Sequence, residues 1–134
     1  MRFMAIIKAT KDYEAGKPPS PGLMAAMGNL AQEEQKLGIF VMGGGLRPSA
    51  HGHKLRMSGG KVTVTDGPFT ETKEVIGGFA ILNYATHEEA IAGARRVLQI
   101  HAEHGVTDLE IELRPMMDPA ECGAQAPQQQ ASAA

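Results

Sequence analysis

Residues 78–102 read GFAILNYATHEEAIAGARRVLQIHA, and this stretch decides the fold. It opens with GFAILNY (78–84), a short apolar run that is typical of a buried strand. Thr86 follows, and Glu89 three residues later completes a capping box, which predicts the start of a helix. The helix is expected to end before Gly105, and its apolar residues recur at helical spacing: Ala90, Ile91, Ala94, Val97, Leu98 and Ala102. The stretch is therefore predicted to be a strand followed by an amphipathic helix.

A second strand–helix–strand unit precedes this one, and a last strand follows it. RFMAIIK (2–8) predicts a buried strand, and residues 9–19 predict a loop because they contain Gly16, Pro18 and Pro19. Ser20-Pro21 predicts a helix start, since a hydroxyl cap precedes a proline at the first helical position. We expect this helix to end at Gly38, and the residues predicted to share its apolar face are Leu23, Met27, Leu30 and Leu37. IFVM (39–42) predicts the next strand, and DLEIELR (108–114) predicts the last, with Leu109, Ile111 and Leu113 on one face.

A hairpin is predicted between the two units. Residues 51–57 and 61–65 alternate in character, Ser58-Gly59-Gly60 joins them, and residues 66–69 form a turn. The predicted order is β-α-β-(hairpin)-β-α-β, an α+β fold with both helices on one face of a mainly antiparallel sheet, which is the ferredoxin-like arrangement. The other face needs a cover, and the residues expected to point there are Met4, Ile6, Leu82 and Tyr84. A second copy packing sheet to sheet is the simplest cover, so the sequence predicts a homodimer.

Composition limits the classes of partner and of protein. The 134 residues are 43% hydrophobic and 21% charged, values typical of one globular domain. We assign this domain to residues 1–118 and predict a flexible Ala/Gln/Pro tail over 119–134. The net charge of −2 argues against nucleic acid or an anionic membrane as the main partner, and no apolar run reaches the length of a membrane span. The single cysteine, Cys122, permits no internal disulfide, and together with the lack of a signal-peptide pattern it predicts a cytoplasmic protein.

The run DGPFTETKEVIGGF (66–79) resembles the signature of the DGPF branch of the YCII-related family. Three further stretches resemble that family: GGGLRPS (43–49), Ser58 to Asp66, and ELRP (112–115). The resemblance covers about residues 1–118 and implies a dimeric α/β barrel, in which two ferredoxin-like sheets pack face to face. It implies no particular reaction, because most members have none established. Some relatives resemble small-molecule enzymes that use a His and an Asp, for example on chlorinated hydroquinones. Others of the DGPF type are encoded beside, or fused to, alternative sigma factors.

Asp66 is the candidate catalytic residue, and two interpretations of it stay open. Its carboxylate can accept backbone N–H bonds from its own turn, or it can act as a general base on a substrate hydroxyl. The candidate ligand-binding residues are Phe69, Glu71, Lys73 and Arg114. In the catalytic interpretation Lys73 and Arg114 would hold an anionic or phenolic substrate. Glu71, Lys73 and Glu74 are equally compatible with a solvated loop that forms weak surface pairs.

Of three function hypotheses, a purely structural dimer module is disfavoured because DGPFTETKE places many polar residues together, and the other two belong to different classes. One is a small-molecule enzyme of the lyase or isomerase kind that works through Asp66. The other is a ligand-binding or regulatory accessory protein without turnover, associated with an alternative sigma factor. No cofactor is expected under either hypothesis, and the partner besides a second copy is an unidentified small molecule.

The histidines predict no metal site. His51 and His53 are expected to point to one face of a strand, most simply into solvent, because the only nearby carboxylate is expected across the fold and the family resemblance offers no fixed histidine at either position. His101 and His104 lie in the last turn of the second helix, where we expect both to cap it in half-buried positions. Glu34 breaks the apolar stripe of the first helix, so it either escapes to the edge or finds a partner such as Arg47 or a backbone group.

Overall fold

The structure, a computed structural model, describes residues 1–71 and 74–121. Its strands and helices alternate in the predicted manner, with the hairpin inserted between the two halves. The strands are β1 (Arg2–Lys8), β2 (Phe40–Gly45), β3 (His53–Ser58), β4 (Lys61–Asp66), β5 (Ile76–Asn83) and β6 (Ile111–Pro115). The helices are α1 (Lys11–Glu14), α2 (Pro21–Lys36) and α3 (His87–Glu103), and a single 3₁₀ turn spans Ser49–His51.

Four strands form one antiparallel sheet in the order β2-β5-β1-β6, and β3 pairs with β4 in a separate two-stranded sheet. At the centre of the larger sheet, Ala5 of β1 lies opposite Ala80 of β5 and Leu113 of β6. This mixed α+β architecture is compatible with the predicted ferredoxin-like fold. The hairpin leaves the sheet after β2, which is the edge opposite to β6.

The two long helices begin where the sequence predicts. The Ser20 hydroxyl accepts the N–H of Leu23 at 3.2 Å, and Pro21 occupies the first helical position of α2. The Thr86 hydroxyl accepts the N–H of Glu89 at 3.2 Å, which confirms the predicted cap of α3. Gly38 has φ +73°, a left-handed conformation that suits glycine and ends α2 as predicted.

The core lies between the larger sheet and the two long helices. Its buried hydrophobic residues are Phe3, Ala5, Leu23, Leu30, Leu82 and Ala90. The Phe3 ring meets the His87 ring edge to face, with centroids 5.1 Å apart. Both helices therefore cover the same face of the sheet, which confirms that part of the prediction.

Two residues lie on the opposite face from the one predicted. Leu82 pairs directly with buried Phe3, and opposed residues of neighbouring strands point to the same face, so Leu82 faces the helices. Tyr84 also faces them, since its hydroxyl reaches Glu34 of α2. Met4 and Ile6 alternate with buried Phe3 and Ala5, so they lie on the open face as predicted. They pair there with Ile81 and Phe79.

Several smaller expectations were wrong. The predicted loop over 9–19 contains the short helix α1, which Thr10 caps by accepting the N–H of Tyr13. Leu37 lies one position beyond α2 and is 69% exposed, and Ile91 is 48% exposed, so neither belongs to the core face of its helix. The last strand starts at Ile111 instead of 108.

No helix within residues 1–71 and 74–121 has the length and apolar content needed to cross a membrane. The described chain ends in a turn at Glu121. Cys122 and most of the predicted tail therefore lie outside the described residues, and the domain boundary at 118 stays a prediction.

Candidate functional site

The base of the hairpin brings a histidine and a carboxylate together. His53 begins β3, Asp66 ends β4, and the two residues are paired across the strands. Nδ1 of His53 lies 2.7 Å from Oδ1 of Asp66, which is a short hydrogen bond. A carboxylate only accepts hydrogen bonds, so the Nδ1–H of the imidazole donates and Nε2 is left without a proton in the neutral ring. Both side chains remain accessible, at 62% for His53 and 79% for Asp66.

The expectation that His53 has no carboxylate nearby was therefore wrong. The expectation for His51 also fails in part, because this residue lies in the 3₁₀ turn and not in a strand beside His53. Both are exposed, as expected. Among the described residues, no three His, Cys, Asp or Glu side chains cluster in a way that could hold a metal ion.

The turn after Asp66 is held by its neighbours more than by its own side chains. The N–H of Gly67 donates to the carbonyl of Gly52 at 2.9 Å and closes the base of the hairpin. A Cβ at Gly67 would lie 1.7 Å from the carbonyl oxygen of Ser49, so only glycine fits this close approach. Within the described part of the turn, the N–H groups of Gly67 and Phe69 donate to Gly52 and Ser49, and the partner of the Asp66 carboxylate is His53.

Ser49 anchors the turn to the body of the protein. Its side chain is buried, and its hydroxyl accepts the N–H of Phe69 at 3.0 Å. The same hydroxyl donates to Oε2 of Glu14 at 2.5 Å, while the Ser49 N–H donates to Oε1 at 2.5 Å. Glu14 lies in α1, so this short helix fixes the loop that carries Asp66 and Phe69.

The predicted ligand-binding residues do not gather in one place. Phe69 is half-buried beside the hairpin base, and the ammonium of Lys54 lies 4.5 Å from its ring centroid, a cation–π contact. Glu71 is exposed, and its carbonyl accepts the N–H of Glu74 at 3.0 Å. Lys73 lies outside the described residues.

Arg114 lies at the far side of the sheet. It belongs to β6, which is three strands or about 14 Å from β2, where the chain leaves for the hairpin. Its guanidinium donates to Glu112 at 3.1 Å. That hydrogen bond, with a smaller contribution from the charge of Lys8, lowers the pKa of the Glu112 carboxyl. A single chain therefore gives Arg114 a partner on its own strand and not in the hairpin site.

Glu34 neither escapes from the apolar stripe nor pairs with Arg47. Its Oε2 accepts the Tyr84 hydroxyl at 3.3 Å between α2 and the sheet, beside a cavity of about 70 Å³ lined mainly by apolar side chains. Burial raises the pKa of Glu34, and burial together with the Glu34 charge raises the pKa of Tyr84 to about 12. The pair is a structural feature of the core, remote from the hairpin.

The two histidines near the end of α3 each bond to the carbonyl four residues back in the same helix. Nδ1 of His101 lies 2.8 Å from the carbonyl of Val97, and Nδ1 of His104 lies 2.8 Å from that of Ile100. His101 is half-buried as expected, whereas His104 is exposed. Both imidazoles satisfy carbonyls near the helix end and have no part in the hairpin site.

Residues 1–112 match the family described as the YCII-related domain. The chain belongs to the YCII-related family. The membership covers β1 through the start of β6, including the hairpin and the Asp66 turn. The DGPF branch suggested by the sequence is a finer assignment that the match does not make.

A curated relative is an uncharacterised protein of Rhizobium meliloti (strain 1021). It is 37% identical over 71 residues, which are 53% of this chain and 54% of that protein. The match thus spans about half the length of each protein. Neither comparison assigns a reaction or a ligand.

Sequence reasoning missed three residues of the site, namely Glu14, Ser49 and His53. Glu14 lay in a segment read as a loop, and Ser49 carried no pattern of its own. The position of His53 was available in principle, because a two-residue turn at Gly59-Gly60 places Ser58 opposite Lys61 and, five steps further, His53 opposite Asp66.

Proposed function

We propose that this YCII-related protein binds a small molecule at the hairpin base and transfers a proton through the His53–Asp66 pair. The observation that carries the proposal is the 2.7 Å hydrogen bond between Nδ1 and Oδ1. The pair replaces Asp66 alone as the acid/base group: His53 moves the proton, and Asp66 orients the ring.

The chemistry follows from the hydrogen bond. Asp66 holds the proton on Nδ1, so the lone pair of Nε2 is available to take a proton from a substrate O–H or from an acidic C–H. The resulting imidazolium is stabilised by the adjacent carboxylate, and the proton is returned to another atom of the same substrate. Returning the proton to another atom of the substrate is an isomerase step, and donating it to a leaving group as the bond to that group breaks is a lyase step; neither needs a cofactor.

The substrate class we infer is small, aromatic or phenolic. Phe69 is half-buried at the hairpin base that carries the pair, and Lys54 lies against its ring, so an aromatic group and a positive charge stand at the same end of the hairpin. Glu71, Lys73 and Arg114 stay ligand-binding candidates, and Arg114 would need to come from a second chain.

The accessibility of the pair favours a second candidate function. Side chains that are 62% and 79% exposed exclude little water, and proton transfer in enzymes generally occurs in a drier site. A ligand-binding or regulatory accessory protein, such as one that works with an alternative sigma factor, needs no such exclusion.

We also propose that the chain forms a homodimer through the open face of the four-stranded sheet. That face carries apolar side chains on its strands, and none of the described helices covers it: Met4, Ile6, Met42, Phe79 and Ile81. Two such faces in contact would form the barrel that the family resemblance implies.

The test compares His53→Gln and Asp66→Asn with the control His51→Gln, an exposed histidine in the adjacent turn. Thermal shift against phenolic and small carboxylic compounds measures binding. Deuterium uptake by each bound compound in D₂O measures proton transfer. We expect the ligand-induced thermal shift and the deuterium uptake to disappear in His53→Gln and Asp66→Asn and to remain in His51→Gln.

The variants should fold, and their free energies of unfolding should be close to that of the wild type, since an exposed ion pair contributes at most about 1 kcal/mol. If the two variants lost ligand binding but the wild type itself showed no deuterium uptake, the accessory function would be favoured. If both variants kept every ligand shift and the full uptake, the pair would have no role.

A further inference from the structure

The hairpin has one apolar face and one polar face. Strand residues alternate between faces, and cross-strand partners share one, so the pairs Leu55–Val64 and Met57–Val62 lie on the same face. The opposite face carries polar and basic residues, namely Lys54, Arg56, Thr63 and Thr65. The hairpin is thus amphipathic along its whole length.

The apolar face is open to solvent in the single chain. Leu55 is 70% exposed, Met57 71%, Val62 56% and Val64 62%. All residues of β3 and β4 are exposed, and the hairpin is tied to the rest of the described chain at its base. An isolated two-stranded hairpin is only marginally stable in water, so a face of this composition requires a cover.

The His53–Asp66 pair lies on this same face. His53, Leu55 and Met57 alternate along β3, and Asp66 pairs with His53. Whatever covers the apolar residues therefore extends toward the imidazole and the carboxylate.

We propose that a second copy of this chain covers the apolar hairpin face and thereby completes the site at His53 and Asp66. This proposal rests on the proposed function, because it supplies the water exclusion that an acid/base pair needs. The partner's surface would lie over the pair and shield its hydrogen bond from solvent, which strengthens the bond electrostatically.

The area of the interface favours a second copy as the occupant. Strand spacing and rise give the open face of the larger sheet a flat footprint of about 400 Å² and the hairpin face about 200 Å². A standard interface uses about 800 Å² of accessible surface on each partner. Accessible surface exceeds a flat footprint because side chains project, so a partner that covers both faces, about 600 Å² of footprint, reaches that range with a wider margin than one that covers the sheet face alone. A two-fold dimer that covers these faces on one chain covers the same faces on the other by symmetry.

Methionine oxidation tests the proposal without any mutation. Met57 lies on the hairpin face, Met42 on the open sheet face and Met24 on α2, and they are 71%, 50% and 61% exposed in the single chain. In the dimer treated with dilute peroxide, we expect Met57 and Met42 to oxidise at least about fivefold more slowly than Met24, as mass spectrometry of peptides would show. A dimer in which Met42 is protected and Met57 reacts as fast as Met24 would overturn the proposal.

A pair of double variants gives an independent test by sedimentation. Met57→Glu with Val62→Glu places two charges on the apolar face, and Arg56→Glu with Thr63→Glu places the same two side chains on the opposite face. We expect the first to raise the dimer dissociation constant at least about 100-fold and the second to change it by less than about threefold. Both variants are expected to fold because all four positions are exposed, and circular dichroism would check this. Equal effects of the two double variants on the dissociation constant would refute the assignment of the interface to the apolar face.

The outcomes separate this proposal from the proposed function. If the apolar face forms the interface but His53→Gln has no effect on ligand shifts, the interface stands and the acid/base role fails. If His53→Gln abolishes binding while Met57 stays reactive in a monomer or a dimer, the acid/base role stands and the cover is not a second copy.

Discussion

Replacing Gly93 with alanine should destabilise the protein, although alanine is the better helix former. Gly93 lies inside α3, directly against Tyr84. A Cβ built at this position would lie 2.1 Å from the Tyr84 hydroxyl oxygen and 2.8 Å from Cζ of the ring. Neither distance is tolerated between non-bonded atoms, so the ring or the helix must move.

The size of the effect follows from three contributions. Forcing an extra methyl group into a packed region costs about 1–3 kcal/mol. Moving the Tyr84 ring also weakens its hydrogen bond to Glu34, which costs about 1 kcal/mol more for a half-buried carboxylate that loses its donor. The higher helix propensity of alanine offsets about 1 kcal/mol of this loss in the free energy of unfolding. We therefore expect a net loss of about 1–3 kcal/mol, or a melting temperature about 4–12 °C lower for a domain of this size.

Gly28 provides the matched control, since it also lies inside a helix, α2, but a Cβ there meets nothing within 4 Å. Gly28→Ala should raise the stability by about 0.5–1 kcal/mol. Urea unfolding followed by circular dichroism gives the free energy of unfolding of both variants. Adding Tyr84→Phe to Gly93→Ala should recover only part of the loss, because Cζ remains. If Gly93→Ala stabilised the protein as much as Gly28→Ala, the close packing of α3 on Tyr84 would be refuted.

Three further outcomes are expected. Burial raises the pKa of Glu34 in the fold above 4.5, so ionisation of this carboxyl opposes folding. The wild type should therefore lose stability relative to Glu34→Gln as the pH rises from 4.5 toward neutrality. Urea titrations across that range measure the difference in stability, and a difference that does not change with pH would contradict the expectation. Ser49→Ala removes the hydroxyl that joins two segments and should cost about 1–3 kcal/mol in thermal melts, whereas exposed Ser58→Ala should stay within about 0.5 kcal/mol. Arg114→Ala should raise the pKa of Glu112, and NMR titration of its carboxyl carbon would refute the ion pair if the value did not move.

The local signals of the sequence predict the elements of this fold well. Capping residues mark where α2 and α3 begin, and Gly38 marks the end of α2. The order of strands and helices follows from these signals together with the hydrophobic periodicity. The short α1 was missed, because four residues between Thr10 and the turn at Gly16 carry no periodicity that separates a helix from a loop.

The site was harder to predict, because it depends on register and not on composition. Asp66 was singled out as chemically interesting, but its partner was missed although the hairpin itself was predicted. Fixing the turn at Gly59-Gly60 determines every cross-strand pair, and one of those pairs is His53–Asp66. The contacts of Ser49 with Glu14 and Phe69 join segments 35 and 20 residues apart, and no local pattern encodes them.

One wrong choice of sheet face explains two of the errors and also bears on the interface. β5 is apolar on both faces, so its alternation does not tell which of Phe79 and Ile81, or Ala80 and Leu82, meet the helices. Placing Leu82 and Tyr84 on the open face left Glu34 without its partner, and the carboxylate then had no evident reason to stay in the core. With the face corrected, Tyr84 satisfies Glu34, and Phe79 and Ile81 take the open positions beside Met4 and Ile6. The open face remains apolar after the correction, so the argument that a second sheet covers it does not depend on the residues first assigned to it.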